Sequence, residues 1–173
     1  MPATLSVKQA TGAAPTYTTA TSVRQNSDDT ANPGTNNPLV KPTSGTNYGF
    51  WKSFCLNVDV APAVQVNNIG FFTPGSLGWT GVVLYGNSAS GYTQATGTIG
   101  ITGDQLTLTA YPQLAGAPVL ATGWTSGSPL TVPGTLTNIN DKSNFVVLQA
   151  NVSTSAVAGS LAAVTCTFRY DEV

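Results

Sequence analysis

The chain has 173 residues, enough for one domain that buries a core without metal or disulfide staples. Only 8% of the residues are charged, against roughly 25% in an average soluble protein. Six basic residues, scattered singly, and seven acidic ones leave a net charge of −1, which excludes the Lys/Arg concentration of a nucleic-acid binder. No apolar run approaches the ~18–20 residues of a membrane helix.

Polarity comes instead from Thr, Ser, Asn and Gly. Thr is β-branched and suits a pleated surface, so this composition predicts exposed sheets. Thr4–Gln9 is a short alternating strand, Gly12–Pro15 turns the chain, and Tyr17–Arg24 is a second, Thr-rich strand. Residues 1–24 are therefore expected to form an amino-terminal strand pair, an arm laid on the main sheet or on a neighbouring subunit. Residues 25–47 have no periodicity and carry Pro33-Gly34, Pro38 and Pro42 among Asn and Asp. They read as an extended polar loop lying over the sheet or reaching a partner. Asp28-Asp29 lacks the oxygen-ligand spacing of a calcium loop and reads as a solvated turn.

Residues 48–173 read as the core of the domain. Phe54, Leu56, Val58 and Val60 alternate with Ser53, Cys55, Asn57 and Asp59, the period of two of a half-buried strand. Strand-like runs at Asn68–Thr73 and Trp79–Tyr85 follow, split by Pro74-Gly75-Ser76, and predict a β-meander. Gly97, Gly100 and Gly103 fit a bent strand, and Leu106–Tyr111 alternates cleanly. Short strands are expected near Val119–Thr122 and Leu136–Ile139. Phe145–Val152 is apolar on both faces at its start, as in a central strand, and Ala163–Tyr170 alternates. The small-residue loop Ser153–Leu161 between them has room for one helical turn. The count of short strands predicts an all-β, single-domain antiparallel β-sandwich, with a jelly roll as one form of it.

Chemistry is sparse. Histidine is absent, which removes Ser-His-Asp and Cys-His catalysis and imidazole metal sites. The carboxylates are terminal, in loops or, for Asp59, without an evident partner on the strand, so no glycosidase pair is indicated. No enzyme, cofactor or metal site is expected. Cys55 and Cys166 read as free, buried thiols; a bridge would need neighbouring strands with both thiols on one face. Trp124 and Tyr92 lie in loop-like stretches. They are the candidate glycan-stacking residues of an alternative reading, a carbohydrate-binding sandwich.

The charge-poor, Thr/Gly/Ala-rich style of the whole chain, including TNYGFWKSFCLNVDV and the closing TCTFRYDEV, resembles the virion structural proteins of tailed viruses. The likeness is to capsid-decoration (cement) and accessory tail proteins. It implies synthesis in a host cytoplasm without a signal peptide, a place in the virion, and capsid or tail proteins and copies of itself as partners. Contact would be by strand addition and loop packing rather than chemistry. Glycans are the partner the alternative implies.

Overall fold

The computed structural model describes residues 2–21 and 23–173; Met1 and Ser22, which fall in the predicted arm, lie outside the described residues. The strands in chain order are β1 (Thr4–Thr11), β2 (Thr16–Thr19), β3 (Thr46–Tyr48), β4 (Lys52–Val60), β5 (Val66–Phe72) and β6 (Val82–Ala89). They continue with β7 (Gly97–Thr98), β8 (Thr102–Gly103), β9 (Val119–Leu120), β10 (Leu130–Thr131), β11 (Phe145–Ser153) and β12 (Thr167–Glu172). The described residues contain one 3₁₀ turn, Ala121–Gly123, and no helix long and apolar enough to cross a membrane. The protein is all-β, an antiparallel sandwich as its composition predicts.

The large sheet runs β2-β1-β4-β11-β6-β9, with β3 also on β11. β3 and β4 occupy one line along β11: Tyr48 faces Asn151 and Lys52 faces Leu148, with Gly49 N–H donating to Ala150 O in between. The small sheet runs β10-β5-β12. Between the two sheets lies the main core, built from the residues that alternation turns inward. Phe54, Leu56 and Val58 of β4 meet Val146, Leu148 and Ala150 of β11 and Ile69 and Phe71 of β5. Each of the larger of these side chains, once buried, contributes about 1.5–3 kcal/mol.

β4 is not half-buried. Every residue from Lys52 to Val58 is buried, on both faces. Cys55 points into a second apolar cluster with Trp51, Tyr111, Leu114, Phe145 and Val147. That cluster is roofed by the chain between β6 and β9, which is irregular apart from the short β7–β8 hairpin. The same roof explains why Leu106–Tyr111 is not a strand. Tyr111 N–H donates to Thr107 O and Ala110 N–H to Thr107 Oγ1, so a Thr side chain caps a turn where alternation suggested extension. The turn sinks Leu106 and Tyr111 and leaves Leu108 exposed.

The predicted meander does not form either. β4 already has β1 on one edge and β11 on the other, so β5 finds no partner there and crosses to the small sheet. Its pairing with β12 carries a bulge at Asn68, whose φ of 48° takes up the extra residue. Gly97–Gly103 is a tight β7–β8 hairpin rather than one bent strand. The Gly97 and Gly103 backbones approach so closely that a Cβ on Gly97 would lie 2.5 Å from Gly103 Cα. Leu136 makes only an isolated bridge to Val66, and Ser153–Leu161 is loop with no helical turn.

The amino-terminal pair lies on the main sheet, the first of the two placements expected of it. β1 is an interior strand, paired with β4 from Thr4 to Ala10 and with β2 on its other side. β2 stops at Thr19, short of the predicted Arg24. Deleting residues 2–24 would therefore strip the β4 edge and uncover Leu56 and Val58. The truncated chain should lose its cooperative thermal transition; a transition within a few degrees of the full chain's would contradict this placement of β1.

Candidate binding cleft

The small sheet is narrower than the sheet beneath it, and beside it the loops and the chain leading into β12 close over the main core. A partly open cleft of about 680 Å³ results. Its floor takes one residue from each of four adjacent strands, Val7, Phe54, Leu148 and Leu84. Its roof is Phe71 and Phe168, which face each other across β5 and β12 with ring centroids 5.0 Å apart. One wall is the run Gly159–Cys166; the other includes Val23, Arg24, Gln25 and Leu39 from the start of the long loop.

The run leading into β12 is an unusual wall. Val157–Cys166 has no strand partner, and among the described residues its one hydrogen bond is at Ala162, whose carbonyl accepts from Trp79 Nε1 at 2.8 Å. Leu161, Val164 and Cys166 turn partly inward, whereas Val157 is exposed. An apolar strap hung from one indole thus covers part of an apolar cleft.

The long loop is held from the far side by a buried cation. Lys52, at the start of β4, donates from Nζ to Asp28 O at 2.6 Å and to Thr30 O at 3.2 Å. Gln9 Nε2 also donates to Thr30 O. Burial pushes the Lys52 ammonium down to about 8, partly offset by the Asp29 and Asp28 charges. Burial also raises the Asp29 carboxyl, against hydrogen bonds from Gly12 N–H and the Tyr92 hydroxyl. The loop therefore lies on its own sheet, the first of the two placements its sequence allowed. Beside it, the buried Asn26 side-chain amide has no partner among the described residues, a local cost of about 1–3 kcal/mol.

The two candidate stacking residues are not brought together. Trp124 is 7% exposed, set edge-on to Phe71 in the main core. It is not the exposed ring its turn-rich surroundings suggested, and its face is unavailable to a sugar. Tyr92 lies on the opposite side of the large sheet, half-buried against Phe145, with its hydroxyl on Asp29 at 3.4 Å. The thiols are likewise separated, Cys55 in the second cluster and Cys166 on the cleft, and both are free. Burial pushes Cys55 up to about 12, so it is an inert thiol. Among the described residues no group of acidic, Cys or His side chains is arranged to hold a metal. Sequence reasoning missed Trp79 and Arg24 as cleft residues; the only signal was Trp79 following a Gly at the end of a turn. No family model, curated protein or solved structure matches the chain.

Two outcomes follow from these contacts. Trp79→Phe keeps the ring but removes the donor to Ala162, and should cost about 1 kcal/mol while speeding amide exchange across residues 157–166. Equal exchange in both proteins would show that the strap is held otherwise. Lys52 binds its proton less tightly folded than unfolded, so between about pH 8 and its ordinary 10.5 stability gains a rising contribution. Lys52→Met should lack that contribution. Because buried tyrosines and Cys55 oppose it in the same range, the quantity to compare is the difference between the two proteins' denaturation profiles. A pH-independent difference would contradict the buried cation.

Proposed function

We propose that the protein is a non-enzymatic structural component of a virus particle, decorating or stabilising its shell by packing of exposed loops. The observation that carries this reading is the β7–β8 hairpin. Its tip presents Ile99 and Ile101, 63% and 53% exposed. Isolated turns favour Gly, Asn, Asp, Ser and Pro, yet here two isoleucines flank Gly100. The hairpin is also rigidly based: Gly100 N–H donates to Ser27 O, and Asp104 N–H to Thr96 O. A fixed apolar tip on a charge-poor surface suits a protein that spends its life against neighbours, including copies of itself.

Loop packing is favoured over strand addition because one edge of each sheet is guarded and the strands at the other edges, β9 and β10, are two residues long. Asn32 caps the outer side of β2, accepting from Thr21 N–H and donating to Thr19 O. β12 carries Arg169, Asp171 and Glu172 and is distorted by the bulge opposite it. The carbohydrate-binding alternative draws less support, since burial of Trp124 leaves Tyr92 as its single ring.

The test is retention on purified particles from the protein's source after a high-salt wash. Apolar contact predicts that many copies survive. Replacing Ile99 and Ile101 together by Ser should weaken attachment at least about a hundredfold, from about 1.5–3 kcal/mol per buried isoleucine, with thermal stability nearly unchanged. Absence of the protein from washed particles would overturn the proposal, and full retention of the double variant would overturn its contact surface.

A further inference from the structure

We infer that the cleft between the sheets is a binding site for a long-chain carboxylic acid or an amphiphile of that chemistry. The inference stands apart from the particle reading and rests on two features of the cleft. The first is its lining. Floor and roof are aliphatic and aromatic side chains, and the volume of about 680 Å³ falls within the roughly 300–1,000 Å³ of ligand pockets. Within it Phe54, Phe71, Leu84 and Leu148 are only 3–4% exposed. The exposed Val23 and the half-buried Val7, Leu161, Val164 and Phe168 present apolar surface along it; an alkyl chain is the ligand that most simply covers them.

The second feature is the charge. Arg24 is the one ionisable cation in the lining. Its Nη1 donates to Gly34 O at 2.8 Å, and among the described residues it has no carboxylate partner. A guanidinium offers five donors in a planar fork, so donors remain for a second acceptor. One hydrogen bond to a carbonyl fixes the side chain without neutralising it. A ligand with an apolar body and a single anionic head satisfies both features, whereas a neutral hydrocarbon leaves the fork unused. The carboxylate is the head group matched by bidentate geometry. The strap supplies the entrance: held at Ala162 by Trp79, it can lift from the cleft without breaking any sheet pairing.

The experiment is calorimetric titration of the full chain with octanoate, decanoate and decanol, each below its micelle concentration, with Trp79 as a fluorescent reporter in the cleft. Decanoate should bind about fifteenfold more tightly than octanoate, from about 0.8 kcal/mol for each of two methylenes. It should also bind about tenfold or more tightly than decanol, from the charge-assisted bond. Arg24→Gln should abolish the preference for the acid while leaving decanol affinity unchanged, with near-ultraviolet circular dichroism confirming its fold. No heat or Trp79 change with decanoate up to its solubility would overturn the inference. So would equal affinity for acid and alcohol in the native chain, or a preference that survives Arg24→Gln.

Discussion

The fold depends on burying β11 on both faces, and the buried Gln149 shows how that is achieved. Its amide accepts from Leu106 N–H at 2.8 Å and donates to Gly49 O and Asp104 O at 2.8 and 2.7 Å. Three backbone groups from two separate stretches are thereby satisfied by one side chain. Leaving any of them unpaired in the interior would cost about 1–3 kcal/mol each. One face of the large sheet is closed by the small sheet; the other is closed by mostly irregular chain, whose ladder among the described residues is the two-pair β7–β8 hairpin. Irregular chain can roof a core only if its backbone groups find partners. Gln149 is one supplier, and the Ser53–Tyr111 hydroxyl contact, with Tyr111 also donating to Gly91 O, is another.

The same economy of charge runs through the loops. Asp141 accepts from the Thr137 and Asn138 backbone amides at 2.8 Å, which holds its carboxyl below the usual range. Asn32, Asn47 and Asn87 each donate to a carbonyl of another stretch of chain, Thr19 O, Val40 O and Ala117 O. Neutral side chains do the work that ion pairs do on more highly charged proteins, and they leave a surface with little long-range field. Association on such a surface is governed by contact and shape. That fits the exposed isoleucine tip, and it leaves Arg24 conspicuous as an unneutralised charge beside an apolar cleft.

What could be read from the sequence was what local pattern controls. Phe145–Val152 announced a central strand because both of its faces are apolar, and β11 is central. Alternation in Thr4–Gln9 gave β1, whereas the two thiols read as free on general grounds alone, and they are free. The losses came where tertiary contacts overrode local pattern. Small residues at Ser53, Cys55 and Asn57 look like a solvent face, but Ser53 and Cys55 lie under Tyr111 and Trp51 and Asn57 is covered beside Lys142. Partner choice for β5 was invisible, because nothing in its own residues records that both edges of β4 are taken. The cleft was equally hidden: Val7, Phe54, Leu84 and Leu148 read as ordinary core, and nothing in their own residues records that a cleft opens between them and the small sheet.

Residue-resolved native-state hydrogen exchange would test this two-sided burial most directly. The amides of residues 53–58 and 145–152 should exchange only through global unfolding, slower than those of β2 and β12 and far slower than those of the strap at 157–166. If the interior of β11 instead exchanged as readily as the edge strands, the roof over the second cluster would not be closed. The central place given to β4 and β11 would then be wrong.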